Sequence, residues 1–371
     1  MAMTAKQVRQ ALTRLKKARA TRSSIAVLST VRIDASGMHA TDMKAHLTIH
    51  AETGIDSPVQ VDPVQLAGAL KGLKASDAVR FESVPGAFGV RVNGITLAGV
   101  DPADWPLDTR EGLNPRVSAP AGLFDAMLDV AVAAVSRDES RPVLTGVQVV
   151  FTPESVRVSA TDSYRLARVI LPAHSDMADP LEVTLPVDGG KYLKAIGGIS
   201  GVGFVDASGS IGAFVDLYSE DATLTLRRIE GQYPNVDMLI PDAWESSGMT
   251  TGLLPVVDRI AAIVGKNNPM ELHLESGEVS AAYADYDSIV EPVTIPGSWD
   301  GEDMTMGVNA RYLQAGLRFV GDAESMRMIS PLRPILLGCK YDRCYLVMPV
   351  RLGKTVRERM EEAAAGEQVP A

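Results

Sequence analysis

Apolar and polar residues alternate along the chain in a pattern that repeats about every 120 residues. Each repeat opens with helical spacing, continues with strand-like alternation, returns to a shorter helix and closes with further strands. The opening helices are predicted in QVRQALTRLKKARA, AGLFDAMLDVAVAAVS and LLPVVDRIAAIVGK, and the shorter ones in VDPVQLAGALKGL, PVDGGKYLKAIGGI and VNARYLQAGLRFVG. The dipeptide Thr41-Asp42 recurs as Thr161-Asp162. We therefore predict an α+β fold built from three repeated domains.

The first two repeats end in similar turns, DPADWPL and EGQYPNVDMLIP, each with an aromatic residue before a proline. Such turns stop a strand and redirect the chain. They predict domains over residues 1–117, 118–245 and 246–352. The remaining segment, 353–371, is charged and then rich in small residues, which predicts a short helix that frays into disorder.

Composition indicates a soluble globular protein, because 46% of the residues are apolar and 22% are charged. No apolar run approaches the roughly 20 residues that a membrane span needs, and the basic N-terminus lacks the apolar stretch of a secretory signal. We therefore expect a cytoplasmic protein without a membrane partner. The net charge of −10 argues against nucleic-acid binding, but residues 1–33 contain no Asp or Glu.

Cationic residues recur on the predicted helices. They line one face of residues 6–18 and lie in or next to the shorter helices as Lys71, Lys74, Lys191, Lys194, Arg311 and Arg318. An ordinary solvated face is one interpretation, and a sequence-independent contact with phosphates is the other. The recurrence favours phosphate contact, although Asp125 and Asp129 break the pattern in the second domain.

Motifs for catalysis are missing from the sequence, which has neither a Walker-type loop nor a G-x-S-x-G elbow. His39, His46 and His50 lie in a strand-like region, where positions i and i+4 are about 13 Å apart and do not share a metal. Cys339 and Cys344 lack nearby histidines and are predicted to be structural thiols. The sequence therefore favours a binding protein that is not an enzyme and needs no cofactor or metal.

Four motifs in a fixed order carry a resemblance. SRDESRPVLTGVQVVF, SATDSYRLA, IEGQYPNVDMLIP and YLVMPVRL resemble segments of the bacterial DNA polymerase III beta subunit, the replicative sliding clamp family. The resemblance covers residues from about 5 to 352 and implies three clamp-type domains in a head-to-tail homodimeric ring. Such a ring encircles duplex DNA without reading its sequence, is handled by a clamp loader, and tethers the alpha-type subunit of the polymerase and other peptide-motif partners.

The resemblance also implies two sets of site residues. The DNA-facing candidates are Arg22, Arg137, Arg141, Lys191 and Lys266. The family's hydrophobic peptide-binding cleft corresponds to Leu144, Thr161, Tyr164, Arg165, Leu166, Pro234, Met238, Leu239, Tyr312, Leu346, Val347, Met348, Pro349, Val350 and Arg351. Apolar walls accept apolar peptide anchors, while Arg and Tyr supply polar groups at the rim. The alternative is that many of these residues are core residues at a domain junction.

The segment ATDSYRLARVILP, residues 160–172, places polar residues in an apolar strand. Since ATDMKAHLTI at 40–49 keeps the Thr-Asp pair, we interpret Asp162 as a structural residue that holds a strand edge or a turn. Tyr164, Arg165 and Leu166 are specific to the second copy, and we predict that they form one wall of the cleft.

The chain departs from the family pattern at two places. The family has Gly-His where this chain has Ser163-Tyr164, and it commonly ends where this chain continues past Leu352. The extra tail is expected to screen the cleft, to contact a partner or to dangle. An alternative function is a clamp-fold scaffold or decoy that binds polymerase-type peptides without encircling DNA, which Asp125 and Asp129 would suit. An α+β enzyme has only scattered carboxylates in its favour.

Overall fold

A computed structural model describes residues 3–21, 23–85, 87–106, 117–174, 179–207, 210–240, 246–250, 252–265, 268–284, 288–295, 297–321, 325–338 and 342–364. These residues form two compact units. The first unit draws on 1–128, 146–156 and 172–231, and the second on 129–145, 157–171 and 232–371. Neither division coincides with residue 117 or 245, so the three-domain boundaries remain a prediction.

Helices form at each of the six predicted segments. The helices at these segments are α1 (Ala5–Leu15), α2 (Pro63–Ala69), α3 (Leu123–Ala134), α4 (Leu193–Ile196), α5 (Leu253–Ile263) and α6 (Ala310–Val320), and α7 (Val356–Ala364) lies in the tail. The α1 helix begins at a capping box in which the side chains of Thr4 and Gln7 satisfy each other's backbone N–H groups. Asp62 and Asn309 cap α2 and α6 without a capping box, because each side chain accepts two backbone N–H groups of the first turn. The start signals thus lie in the local sequence.

Strands occupy most of the remaining chain. Those of the first repeat are β1 (Val31–Asp34), β2 (Gly37–Thr41), β3 (Ala45–His50), β4 (Val59–Val61), β5 (Phe81–Ser83), β6 (Gly89–Val92) and β7 (Ile95–Val100). Those of the second are β8 (Val117–Ser118), β9 (Gly146–Phe151), β10 (Ser155–Thr161), β11 (Arg165–Pro172), β12 (Leu181–Pro186), β13 (Gly201–Ala207), β14 (Ser210–Tyr218) and β15 (Ala222–Arg227). The α+β class is confirmed.

The third repeat has the same order of a long helix, strands, a second helix and further strands, with additional short strands. Its strands are β16 (Ser246–Thr250), β17 (Pro269–Glu275), β18 (Glu278–Ala284), β19 (Ile289–Ile295), β20 (Gly297–Asp300), β21 (Met304–Asn309), β22 (Ser325–Met328), β23 (Ile335–Gly338), β24 (Arg343–Val347) and β25 (Pro349–Val350). The strands β4, β6, β8, β12, β13, β16, β20 and β21 were not predicted from the sequence. The pairs β16·β20, β17·β18 and β23·β24 are antiparallel.

The first unit contains a sheet with the order β5-β6-β7-β4-β1-β2-β3-β15-β14-β13-β8, together with the antiparallel pair β9·β12. The second unit contains a sheet with the order β10-β11-β24-β23-β22-β16-β20 and another with the order β19-β18-β17-β21-β25. Apolar residues on the strands and the inner faces of the helices form the buried core. Among the described residues, no helix is long and apolar enough to cross a bilayer.

One antiparallel ladder occurs twice, once in each unit. In the first unit β3 pairs with β15, from Ala45 opposite Leu226 to Ile49 opposite Ala222. In the second unit β11 pairs with β24, from Arg165 opposite Val347 to Val169 opposite Arg343. A strand of one repeat therefore joins a strand of the next repeat in the same register both times, so each sheet continues across a repeat boundary.

The tail after Leu352 is folded over its described part. Val356 is 2% exposed, and its N–H donates to Oε1 of the buried Glu271 on β17 at 2.7 Å. Thr355 and Glu358 cap the start of α7 through their side chains. The predicted short helix is therefore confirmed, and residues 353–364 dock on the third repeat rather than dangle. Residues 365–371 lie outside the described residues.

Candidate functional site

Two hairpin turns carry the repeated Thr-Asp pair, the first turn at residues 41–45 and the second turn at 161–165. In the second turn, the Oδ1 atom of Asp162 accepts the backbone N–H groups of Tyr164 and Arg165 at 3.0 and 3.1 Å. The Thr161 hydroxyl donates to the Arg165 carbonyl at 2.7 Å and accepts the N–H of Ser163. Asp162 therefore holds a turn, which is one of the two structural roles that the sequence predicted for it, and Thr161 is buried within the turn.

The second turn presents an aromatic and cationic surface. The other carboxylate oxygen of Asp162 accepts from Nε of Arg165 at 2.9 Å. The Arg165 guanidinium lies 4.5 Å from the ring centre of Tyr312, at the start of α6. Tyr164 is 60% exposed and stacks on Tyr312 with ring centres 6.4 Å apart. These three predicted cleft residues therefore meet in one place, where ring faces and a guanidinium are available to a ligand.

The charge of Arg165 is stabilised by its surroundings. Burial alone lowers the pKa of Arg165, but the neighbouring Tyr345 and Asp162 outweigh burial and raise the pKa of the guanidinium above its usual value. Burial also raises the pKa of the Tyr345 phenol, which is fully enclosed, and Arg165 opposes that shift. The guanidinium therefore stays charged and the phenol stays neutral at neutral pH.

A second apolar surface lies on residues 233–240, which we call the display loop. The side chains of Val236 and Ile240 are buried with Leu144, Leu166 and Leu346 in one apolar cluster. Between those two anchors, Met238 is 82% exposed and Leu239 is 47% exposed. The backbone N–H of Thr161 donates to the Tyr233 hydroxyl at 3.0 Å, which joins the display loop to the second turn.

The last strands supply a third part of the surface. The backbone N–H of Met348 donates to the Tyr164 carbonyl at 2.8 Å, and β25 pairs with β21 through Val350 opposite Gly307. A Cβ atom on Gly307 would lie 2.4 Å from the Val350 carbonyl oxygen, so the close approach of this strand requires glycine there. Met348 and Val350 are exposed, whereas Leu346 and Val347 are buried.

The predicted cleft residues thus divide into two groups, all within the second unit. Exposed or partly exposed positions are Tyr164, Arg165, Pro234, Met238, Leu239, Tyr312, Met348, Pro349, Val350 and Arg351. Buried positions, which support that surface from below, are Leu144, Thr161, Leu166, Leu346 and Val347. Sequence reasoning missed Tyr345, Arg157, Arg168 and Asp237, because no local signal marks a strand residue as the partner of a distant loop. Tyr233 was signalled only as the aromatic residue before a proline.

The predicted DNA-facing residues have mixed surroundings. Arg137 is exposed, while Arg141 pairs with Asp138 at 3.3 Å and donates to the Ser163 hydroxyl at 2.8 Å. Lys191 lies 3.3 Å from Asp188 and 3.8 Å from Asp42. Arg22 and Lys266 lie outside the described residues. Contact of these residues with DNA remains a prediction.

Asp125 and Asp129 of α3 are the acidic residues that break the cationic pattern of the predicted helices. Asp129 pairs with Arg343 at 2.8 Å, and the same guanidinium donates to the Phe319 carbonyl. Because its charge is neutralised within the second unit, Asp129 does not present a bare carboxylate. On α5, Asp258 likewise pairs with Arg318.

The histidines and the described cysteine form no metal centre. The hairpin β2·β3 brings His39 and His46 together with ring centres 5.8 Å apart, but His39 binds Asp34 and Thr48, and His46 also packs on Trp105. Cys344 is buried, and Cys339 lies outside the described residues. Within the described part of the chain, no cluster of His, Cys, Asp and Glu could hold a metal ion.

Comparison with known proteins agrees with this geometry. Residues 120–235 match the family described as DNA polymerase III beta subunit, central domain. The beta sliding clamp of Streptococcus pneumoniae serotype 4 is 26% identical over 377 residues, covering 92% of this chain and 96% of the relative. That of Synechocystis is 29% identical over 281 residues, covering 69% of this chain and 70% of the relative. The chain is therefore similar to beta sliding clamps over most of its length, and residues 120–235 resemble the central domain of the DNA polymerase III beta subunit.

Solved structures show the same fold over nearly the whole chain. The sliding clamp of Bartonella birtlesii bound to griselimycin has a TM-score of 0.83 at 21% identity and covers 95% of this chain and 99% of that one. The beta subunit from the DNA polymerase of Streptococcus pyogenes has a TM-score of 0.82 at 22% identity, with the same shares covered. At these identities the structures establish the fold alone.

Proposed function

We propose that this chain is a non-catalytic DNA sliding clamp that encircles duplex DNA and tethers a polymerase through the exposed apolar surface of its second unit. The observation that carries the proposal is the match to a curated beta sliding clamp over 92% of the chain and 96% of the relative. Sequence-independent contacts suit a ring that must slide, because tight or base-specific contacts would arrest it.

The proposed assembly is a head-to-tail homodimer with three clamp-type domains in each copy. The ladder that recurs between consecutive repeats supports this arrangement, because it continues the sheet from one repeat into the next in a fixed register. A cytoplasmic location follows from this role in replication. Arg22, Arg137, Arg141, Lys191 and Lys266 are the proposed DNA-facing residues.

The proposed peptide-binding cleft consists of the second turn, the display loop and the strand 348–351. Its exposed methionines and leucine offer apolar contacts, and Tyr164, Tyr312 and Arg165 offer ring faces and a fixed charge. Interfaces usually depend on a few such anchor groups. The cleft would receive short peptide segments of the polymerase alpha-type subunit, the clamp loader and other partners.

DNA topology provides the test of the clamp function. We expect a dimer of about 79 kDa, twice the chain mass of 39.5 kDa, which a clamp loader places on nicked circular DNA. The dimer should be lost when the circle is linearised and retained when the linear ends are blocked by bound protein. Retention that ignores linearisation would contradict encirclement and favour ordinary DNA binding.

Peptide binding tests the cleft separately. Overlapping peptides that tile the alpha-type polymerase subunit are titrated against the wild type, Met238→Ala and Val64→Ala. Val64 is a matched control because it is an exposed apolar residue on α2, outside the proposed cleft. We expect Met238→Ala to weaken the tightest peptide roughly tenfold and Val64→Ala to leave it unchanged. Equal effects would place the peptide elsewhere.

The scaffold or decoy alternative has lost part of its support, since the Asp129 carboxylate is neutralised by Arg343. Peptide binding without DNA-dependent stimulation of a polymerase would nevertheless favour it over the clamp.

A further inference from the structure

The display loop exposes two adjacent apolar side chains on a very short element. Met238 and Leu239 lie in a four-residue 3-10 helix, Val236–Leu239, whose following residue, Ile240, is buried. A 3-10 helix of this length is not stable by itself. Met238 is 82% exposed and Leu239 is 47% exposed, so their side chains add little packing energy to hold it. Something else must fix the direction in which they point.

Asp237, between the buried Val236 and the exposed Met238, supplies an ionic anchor. Its Oδ1 atom accepts from Nη1 of Arg168 on β11 at 3.0 Å, and its Oδ2 atom accepts from Nη1 of Arg157 on β10. The Arg168 side chain is buried, so this pair is shielded from solvent more than an ordinary surface pair is. Two guanidinium groups from neighbouring strands therefore hold one carboxylate of the loop.

The same strand connects the loop to the second turn. Arg168 lies three residues after Arg165, which contacts Tyr312, and Leu166 lies between them in the apolar cluster under the loop. β11 thus carries the ion-pair partner of the loop and the charged edge of the second turn on one rigid ladder with β24. A loop tied to this strand keeps a fixed position relative to the aromatic surface.

We propose that Asp237 is a positioning residue for partner binding, which acts through Arg157 and Arg168 to hold Met238 and Leu239 in the binding arrangement. This inference rests on the proposed peptide-binding function. When the binding-competent arrangement is only a fraction of the population, the apparent affinity falls by that fraction. Loss of the anchor therefore weakens binding although Asp237 itself need not touch the peptide.

The experiment compares Asp237→Asn, Asp237→Glu and the matched control Asp258→Asn in the full-length protein. Asp258 also pairs with an arginine, Arg318, and accepts from Gln314, but on α5 and α6. The probe is the tightest polymerase peptide from the tiling experiment. We expect Asp237→Asn to weaken it about tenfold, Asp237→Glu to return affinity to within about threefold of wild type, and Asp258→Asn to leave it unchanged.

Hydrogen exchange distinguishes positioning from general destabilisation. The Ile240 N–H donates to the Asp237 carbonyl at 3.2 Å, so its exchange reports the closure of the loop. We expect Asp237→Asn to accelerate exchange over 236–240 about tenfold, while the β11 amides and the thermal midpoint change little.

Two results would count against the hypothesis in different ways. A wild-type chain that binds no polymerase peptide contradicts the proposed function. Wild-type binding that Asp237→Asn leaves unchanged, with unchanged exchange over 236–240, overturns only the positioning role of Asp237.

Discussion

The first turn and the second turn have the same backbone arrangement in different surroundings. In both, the aspartate accepts two successive backbone N–H groups, and the threonine hydroxyl bridges to the carbonyl that closes the hairpin. The residue after the aspartate has a positive φ in both, 74° at Met43 and 80° at Ser163. The local sequence therefore determines the turn twice.

The two turns differ in the partner of the second aspartate oxygen. In the first turn, the buried Tyr192 hydroxyl donates to Asp42 at 2.6 Å. In the second turn, the oxygen binds Arg165 of its own hairpin, and the corresponding Tyr312 instead contacts Arg165 and Tyr164 through its ring. A hydroxyl closes the first turn, whereas the second turn keeps ring faces at its surface. The same repeated sequence thus forms a closed, buried turn in the first unit and a candidate binding surface in the second unit.

Replacing the turn aspartates should have the largest effect on stability, and the effect should differ between the two turns. We expect Asp162→Ala to lower the free energy of unfolding by about 3 kcal/mol, because it strands two N–H groups and the largely buried Arg165 charge. Asp42→Ala should cost about 2 kcal/mol, because it strands a neutral hydroxyl instead. Urea denaturation measures both losses. A larger loss for Asp42→Ala would contradict the importance of the Arg165 charge.

Removing the tyrosine hydroxyls should give the second largest difference in stability between the two turns. We expect Tyr192→Phe to cost about 1.5 kcal/mol, since it removes the short hydrogen bond to Asp42 within a buried site. Tyr312→Phe should cost less than about 0.5 kcal/mol, because its ring keeps the contacts with Arg165 and Tyr164. The same urea titration compares the pair. Similar losses would mean that the Tyr312 hydroxyl also has a structural role.

Alkaline pH should weaken the first turn. Burial, together with the Asp42 carboxylate, raises the pKa of Tyr192 well above the usual tyrosine value of about 10. The folded state therefore favours the protonated phenol, and this contribution is complete below about pH 10 and is lost as the pH rises further. Tyr192→Phe should flatten the decline in urea midpoint above that pH. An unchanged decline would assign it to other groups.

The positive-φ positions should give the smallest effect. Glycine relieves left-handed strain at both, so Met43→Gly should stabilise the protein by about 0.5 kcal/mol. Ser163→Gly should give no net gain, because it loses the hydrogen bond from Arg141. In an Arg141→Ala background, Ser163→Gly should show the gain seen for Met43→Gly. If Ser163→Gly stabilises the protein equally with and without Arg141, the hydrogen bond from Arg141 to Ser163 does not contribute to stability.

Sequence patterns predicted the elements well where the signal was local. Thr4, Asp62 and Asn309 are N-cap residues whose side chains mark where three helices begin. The two Thr-Asp pairs likewise specify the two turns. The two-residue strand β8 carried too few residues for a periodic signal. The sequence also grouped buried and exposed cleft residues together, because Leu346 and Met348 both look apolar although only Met348 faces solvent.

The sequence by itself determined the threefold repeat, the α+β class, the turn chemistry and the family resemblance, since each depends on neighbours within a few positions or on ordered motifs. Only the tertiary structure decided which tyrosine closes a turn and which stays available, and which arginines hold Asp237. It also decided that the start of the tail docks through Val356 on Glu271. These choices depend on pairing between segments far apart in the chain, and such pairing leaves no mark in the local pattern.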